Sequence, residues 1–222
     1  MQRIWGKDVF SSVAEIVRVE HTALLVVDMQ NDFCAEDGYY GKLGKDLSAI
    51  QLAVRRMSVL VDAAREAGVL VVWIQQTLLP DARADSAAWL RRRTQGTAPP
   101  EWTIDGSWGQ EFVAPLVPRA GEPVVKKHRS SAFVGTHLDL ILRSNGIASV
   151  VIGGAVTQGC VESTARDATF YDYYVVHASD CVGTTDRHVH DASMLCQKGR
   201  YDFAPSTAIR EFWAGERTEA SG

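Results

Sequence analysis

The chain has 222 residues, of which 46% are hydrophobic and 23% are charged, and its formal net charge at pH 7 is −4. This length and apolar content are sufficient for one buried core, so we expect a single domain over residues 1–222. The net negative charge provides no basic surface for nucleic acid or an anionic membrane, and the expected partner is a small molecule.

Membrane insertion and export are not indicated by the sequence. The longest apolar runs, Ala23–Val27 and Gly68–Ile74, are too short to span a bilayer. The N-terminus lacks the order of charged, apolar and small residues of a signal peptide, so we expect a cytoplasmic protein. The four cysteines show neither CxxC spacing nor the density of a disulfide scaffold, and most are expected to be reduced.

The first half of the chain alternates buried-type strands with an amphipathic helix. After an N-terminal extension over residues 1–20, the predicted elements are a strand at Ala23–Asp28, a helix at Leu47–Ala67 and a strand at Val69–Gln75. A long irregular stretch, Thr77–Gly121, follows these elements. We expect it to form an insert or a lid.

The second half continues the alternation and ends in a tail over residues 214–222. Its predicted elements are a strand at Pro123–Lys126, a helix at about Thr136–Asn145, a strand at Ser149–Ile152, a helix at Val161–Phe170, a strand at Tyr173–Ala178 and helices at Arg187–Lys198 and Ser206–Trp213. Such alternation is typical of a parallel sheet covered on both faces. We expect an α/β fold with a doubly wound, Rossmann-like, mainly parallel sheet of about six strands.

Reactive side chains stand at the ends of three predicted strands. Asp28 closes the first strand, Lys126 and Lys127 close the third, and Cys160 follows the fourth. In a doubly wound sheet the ligand crevice lies at the carboxyl ends of the strands. Cys160 also stands near a helix N-terminus, which favours a thiolate. A base, a cation and a thiol are the groups that acyl transfer at an amide requires.

Three blocks that carry these residues resemble the signature blocks of the isochorismatase-like cysteine hydrolases. The blocks are Leu25–Phe33, Lys127–Phe133 and Gly154–Ala168, in this order along the chain. The resemblance implies a catalytic trio of Asp28, Lys127 and Cys160. Lys127 is preferred over Lys126 because it stands six residues before Phe133, as in the lysine block of the family.

The resemblance implies a mechanism and an oxyanion hole. Asp28 would accept the proton of Cys160, the thiolate would attack a carboxamide or ureido carbonyl, and ammonia or an amine would leave before water hydrolyses the thioester. The oxyanion would be bound by the backbone N–H groups of Val156 and Cys160, with a cis peptide bond between Ala155 and Val156. The candidate substrate contacts are Gln30, Phe33, Trp108, Phe133, Ala155 and Gln197. For Gln30, a purely structural role in tying down its loop stays open.

No cofactor and no catalytic metal are expected. His188 and His190 are two residues apart, which is the wrong step for one helix face. The nicotinamidase branch of the family carries an aspartate followed by histidines after its second strand. The corresponding Thr77–Ala84 contains Asp81 but no histidine, which disfavours nicotinamide as the substrate.

The branch that the sequence resembles most contains the ureidoacrylate, biuret and N-carbamoylsarcosine amidohydrolases, from the spacing of Gly38–Tyr40, Asp46–Ser48 and Gly106–Trp108. The expected protein is a cysteine-dependent amidohydrolase of small linear amide, carbamoyl or ureido compounds that forms a dimer or tetramer, as the family does. Two alternatives stay open. An isochorismatase-type vinyl-ether hydrolase would not need Cys160, and a non-catalytic relative would only bind small molecules.

Substrate choice is expected to depend on the insert. Its tryptophans either wall a pocket or pack a lid on the body. Its arginine run, Arg91–Arg93, is expected to be a solvated face rather than a carboxylate clamp.

Overall fold

The computed structural model describes residues 1–94 and 101–220, the last four of these by their backbone alone. In chain order the strands are β1 (Gln2–Ile4), β2 (Lys7–Val9), β3 (Thr22–Val27), β4 (Leu70–Gln76), β5 (Val124–Lys127), β6 (Ser149–Ala155), β7 (Tyr174–Gly183) and β8 (Asp202–Ala204). Six of them form one sheet in the order β5-β4-β3-β6-β7-β8, and each neighbouring pair is parallel. The predicted α/β fold is confirmed.

Helices surround this sheet. In chain order they are α1 (Val13–Ile16), α2 (Asn31–Cys34), α3 (Tyr39–Lys42), α4 (Ser48–Ala67), α5 (Ala87–Thr94), α6 (Leu138–Ser144), α7 (Glu162–Phe170), α8 (Arg187–Gln197) and α9 (Ser206–Ala220). Among the residues described, none of these helices combines the length and the apolar character that a membrane span needs.

Two apolar clusters, one on each face of the sheet, form the core. Leu24 and Val26 of β3 belong to the cluster that includes α4 and α9. Leu25 and Val27 belong to the other cluster, which includes α6 and α7. This division follows from the alternation of side chains along a strand. Because both faces are covered, β3 is buried at every position and is apolar from Ala23 to Val27.

The structure extends several predicted elements. β7 continues to Gly183, five residues past the predicted end at Ala178, and α9 continues to Ala220, so residues 214–220 of the predicted tail are helical. β8 was not predicted, because three residues are too few for a periodic pattern. The N-terminal extension contains an antiparallel hairpin of β1 and β2.

Residues 77–121, the predicted insert or lid, are attached to the loop after β3. This segment contains α5 and single turns at Pro80–Ala82 and Trp108–Gln110, while residues 95–100 lie outside the described part. The carboxylate of Asp32 accepts a hydrogen bond from the backbone N–H of Thr103 at 2.6 Å and another from that of Tyr39 at 3.0 Å. Asp32 therefore joins the insert to the loop that follows β3.

Candidate active site

The ends of three strands bring Asp28, Lys127 and Cys160 together. Asp28 follows β3 directly, Lys127 is the last residue of β5, and Cys160 lies in a π-helical turn, Thr157–Val161, after β6. The Nζ atom of Lys127 lies 2.8 Å from Oδ2 of Asp28 and 3.1 Å from Sγ of Cys160. The strand-end rule, by which the ligand crevice of a doubly wound sheet lies at the carboxyl ends of its strands, thus correctly places these side chains in one cluster.

The ammonium group of Lys127 is held from several sides. Besides Asp28 and Cys160, it donates hydrogen bonds to Oε1 of Gln76 at 2.7 Å and to the carbonyl oxygen of Arg129 at 3.1 Å. Burial alone would lower the pKa of Lys127, but Asp28 and Cys160 raise it above the ordinary value. Lys127 is therefore a fixed, charged group between the carboxylate and the sulfur.

The choice of Lys127 over Lys126 is consistent with the side to which each points. Lys127 is fully buried, whereas Lys126 is exposed and its Nζ lies 2.6 Å from Oδ1 of Asp105. Successive residues of a strand point to opposite sides, so only one of the two lysines reaches Cys160.

The pKa of Cys160 differs from the sequence-based expectation. Burial and the charge of Asp28 raise the pKa of Cys160 to about 12, although the charge of Lys127 acts to lower it. Part of Cys160 is nevertheless accessible from a cavity. The direction of this pKa shift is opposite to the one expected from the helix N-terminus.

Burial also raises the pKa of Asp28, while the charge of Lys127 lowers it. A carboxylate with a raised pKa is a stronger base, and such a base is suited to accept a thiol proton. The buried trio therefore contains a proton donor, a proton acceptor and a fixed cation.

Close backbone packing shapes the turn that carries Cys160. Gly154 has φ of +144°, and a Cβ atom there would lie 2.0 Å from the carbonyl oxygen of Val27. A glycine is thus required where β6 passes β3 next to Asp28. The bond between Ala155 and Val156 is cis, as the resemblance implied.

A cavity of about 280 Å³ opens beside Cys160. Its apolar wall consists of Phe33, Tyr40, Leu78, Trp89 and Trp102, and its other lining residues are Gln76, Arg92, Arg93, Ser130, Val156, Gln158 and Gly159. A larger cavity of about 380 Å³ lies between the start of α4, the end of β7 and α8, and the described residues that line it do not include the trio. We therefore take the smaller cavity as the candidate active site.

Of the predicted substrate contacts, Phe33 lines this cavity and Gln30 does not. Both ends of the Gln30 side-chain amide are already used. Its Oε1 accepts from the backbone N–H of Gln76 at 2.8 Å, and its Nε2 donates to the carbonyl oxygens of Gln76 and Gln110. The structure therefore favours the alternative role for Gln30, in which it ties down its loop. Ala155 is buried in the core beside the cis bond.

The other three predicted contacts lie away from the cavity. Trp108 is half exposed, and its carbonyl oxygen accepts from Nδ2 of Asn31. Phe133 is buried and stacks on Tyr171 with ring centroids 5.1 Å apart. Gln197 is buried in α8, where its Nε2 donates to Ser193. None of these three residues is among the described residues that line the cavity.

Sequence reasoning missed Gln76 and the contribution of α5. Gln76 ends β4 at the same sheet edge as the trio, so the strand-end rule could have identified it. The cavity residues of α5 have no comparable signal, because their position depends on how the insert folds.

Among the described residues, no group of three or more His, Cys, Asp or Glu side chains is arranged to hold a metal ion. His190 instead forms a hydrogen bond between its Nδ1 and Oγ1 of Thr157 at 2.8 Å.

Comparisons with known proteins identify a matching family and a similar curated protein. The model of the isochorismatase domain family matches residues 22–200. The chain is 37% identical over 175 residues to the ureidoacrylate amidohydrolase RutB of Enterobacter sp. (strain 638), which covers 72% of this chain and 74% of that protein.

Two solved structures are similar in fold and in sequence. N-carbamoylsarcosine amidase from Thermoplasma acidophilum has a TM-score of 0.66 and 29% identity, covering 84% of this chain and 96% of that one. Nicotinamidase/pyrazinamidase PncA from Bacillus subtilis has a TM-score of 0.67 and 28% identity, covering 83% of this chain and 99% of that one. The chain therefore belongs to the isochorismatase family of hydrolases, with an amidohydrolase among its relatives.

Proposed function

We propose that the protein is a cysteine amidohydrolase that cleaves a carbon–nitrogen bond of a small linear amide, carbamoyl or ureido compound. The observation that carries the proposal is the contact of Lys127 with both Asp28 and Cys160 beside a cavity. The relatives named for ureidoacrylate and N-carbamoylsarcosine support a carbamoyl or ureido group as the target.

In the proposed first step, Asp28 removes the thiol proton as the sulfur of Cys160 attacks the substrate carbonyl. Because the pKa of the thiol is raised, proton transfer to Asp28 during the attack is more favourable than deprotonation of the thiol before the attack. Lys127 stays protonated, compensates the developing charge on sulfur and keeps the carboxylate in place.

The tetrahedral intermediate places negative charge on the former carbonyl oxygen. We assign the backbone N–H groups of Val156 and Cys160 as its donors, because both residues line the cavity at the turn after β6. Each such donor typically lowers the barrier by about 3–4 kcal/mol. Asp28 then returns its proton to the leaving nitrogen, the C–N bond breaks, and water hydrolyses the resulting thioester.

The two alternative functions lack a comparable observation. A vinyl-ether hydrolase has no use for a sulfur held 3.1 Å from a buried ammonium, and a binding protein has no use for the buried base beside it. We therefore retain the amidohydrolase as the single proposal.

The test measures ammonia release from primary amides, ureido acids, biuret and carbamoylated amino acids. We expect Cys160→Ala to reduce turnover at least about 10³-fold while the circular dichroism spectrum stays unchanged. Cys196→Ala is the matched control, because Cys196 is exposed and free, and it should retain full activity. Activity in Cys160→Ala comparable to that of the parent would refute the proposal.

We further propose a cytoplasmic homodimer or homotetramer. Large exposed apolar side chains, including Leu140 at 67% and Phe170 at 79% exposure, are compatible with a subunit contact. Sedimentation as a monomer at micromolar concentration would contradict the oligomer.

A further inference from the structure

Helix α5 contributes charged and aromatic side chains to the cavity that holds Cys160. Trp89, Arg92 and Arg93 line it, together with Trp102 from the same insert. The trio beside them contains one carboxylate and one ammonium in direct contact, so it adds no net charge while Cys160 is a thiol. The charge of the cavity therefore depends on the arginines.

Two of the neighbouring arginines share one carboxylate. Nη2 of Arg93 lies 2.7 Å from Oδ2 of Asp85, and both side chains are almost fully buried. Nη1 of Arg129 lies 4.0 Å from Oδ1 of the same Asp85, and its Nη2 donates to the carbonyl oxygen of Ala84. Asp85 thus compensates one positive charge of the two, and both arginines serve to fasten the insert.

Arg92 is different. Its guanidinium lies 5.0 Å from the centroid of the Trp89 ring, and within residues 1–94 and 101–220 it has no carboxylate at ion-pair distance. Stacking on an aromatic ring fixes the plane of a guanidinium while its N–H donors stay available. Nε1 of Trp89 is itself buried with no hydrogen-bond partner. Within the described part of the chain, Arg92 therefore lines the cavity with no carboxylate partner of its own.

We propose that Arg92 is a specificity-determining residue that binds a carboxylate of the substrate. This inference rests on the proposed function and narrows its substrate to a carbamoyl or ureido acid. The carbonyl of the substrate lies at Cys160 and its carboxylate at Arg92. The predicted solvated face of Arg91–Arg93 holds for Arg91 and Arg92, which are both exposed, but Arg92 also lines the cavity, and the side chain of Arg93 is buried.

The experiment compares two probes that differ in one group, 3-ureidopropionate and N-propylurea, in which a methyl group replaces the carboxylate. Each is tested as a substrate by ammonia release and as a protector of Cys160 against iodoacetamide, with alkylation of the Cys160 peptide measured by mass spectrometry. The variants are Arg92→Gln and Arg92→Lys. Arg91→Gln is the matched control, because it removes the same charge from an exposed neighbour on the same helix.

We expect the parent and Arg91→Gln to prefer 3-ureidopropionate, and Arg92→Gln to lose about tenfold in apparent affinity for it with no change for N-propylurea. Arg92→Lys should recover part of the loss, because it keeps the charge but not the bidentate geometry. Equal protection by the two probes in the parent, or an equal effect of Arg91→Gln and Arg92→Gln, would overturn the inference.

The protection arm separates this inference from the proposed function. If neither probe releases ammonia but 3-ureidopropionate protects Cys160 in an Arg92-dependent way, the proposed ureido hydrolysis fails and the carboxylate site stands. If both probes are hydrolysed with equal efficiency, the amidohydrolase stands and the carboxylate site fails.

Discussion

At the scale of single residues, the buried pair of Asp28 and Lys127 determines the reactivity of Cys160. The two charges act on the thiol in opposite directions, since Asp28 raises its pKa and Lys127 lowers it. In the proposed mechanism both are nevertheless required, because the carboxylate takes the proton and the ammonium compensates the sulfur.

Substitution of the two charges should therefore affect alkylation and turnover differently. In Asp28→Asn the thiol pKa should fall, so the pH profile of iodoacetamide alkylation at Cys160 shifts to lower pH. In Lys127→Met the profile should shift to higher pH. Both variants should lose amide hydrolysis, with native circular dichroism as the control for folding, since unpairing a buried charge also destabilises the fold. Shifts in the same direction would contradict this assignment of charges.

Gly154 provides a second test at residue scale. Gly154→Ala places a methyl group 2.0 Å from the carbonyl oxygen of Val27, so β6 and β3 must separate next to Asp28. We expect a loss of about 2–4 kcal/mol in the free energy of unfolding by urea. Gly146→Ala is the control, because Gly146 also has positive φ but faces open space, and it should cost about 1 kcal/mol. Equal losses would show that the close packing at Gly154 is unimportant.

At the scale of elements, helices and strands with a long periodic pattern of apolar residues can be predicted from the sequence, whereas elements without such a pattern cannot. The buried face of α4 recurs at helical spacing and Gly68 ends the helix in a left-handed conformation, so this helix was predicted within one residue. For β7 the sequence predicts an end at Ala178, because Ser179 and Asp180 interrupt the apolar run of this strand. α5 has a weak apolar face and buries no residue fully, so only the folded insert reveals it.

The same distinction applies to the candidate site. The strand ends that carry the trio could be found from sequence because parallel strands align these ends, and the resemblance to the family then selected Lys127 over Lys126. The end of β4 could also have identified Gln76 as a candidate, but its contact with Lys127 requires knowledge that β4 and β5 are neighbours, which the sequence does not supply. The lining by Trp89 and Arg92 depends on tertiary packing of the insert.

The pairing of β7 with β8 leads to a pH-dependent prediction. His177 of β7 is fully buried, stacks on Phe203 of β8 with centroids 4.9 Å apart, and has its pKa lowered by burial to about 4. The folded state therefore requires the neutral ring, whereas the unfolded chain binds a proton below about pH 6.5. Stability from this residue is complete above pH 6.5 and is lost as the pH falls towards 4, to a maximum of about 3 kcal/mol.

Urea unfolding at pH 7 and pH 4.5 measures this effect. His177→Phe should reduce the difference between the two pH values, while His188→Gln, at an exposed position of α8, should leave it unchanged. An unaltered pH dependence in His177→Phe would exclude His177 as its source.

At the scale of the whole molecule, one continuous sheet carries both apolar clusters, and we propose that the chain forms a single domain. We therefore expect one cooperative unfolding transition. Tryptophan fluorescence and far-ultraviolet circular dichroism should give superimposable urea curves, since the tryptophans are spread from Trp5 to Trp213. Two separated transitions would indicate that the insert or the N-terminal extension folds independently.

The central claim is that Cys160 attacks the substrate carbonyl, and the most direct measurement is acid-quench mass spectrometry during turnover of a ureido substrate. We predict a covalent acyl or carbamoyl adduct on the Cys160 peptide that appears at early times and decays as substrate is consumed, with no adduct at Cys34, Cys181 or Cys196. Turnover with Cys160 unmodified at every quench time would contradict the account.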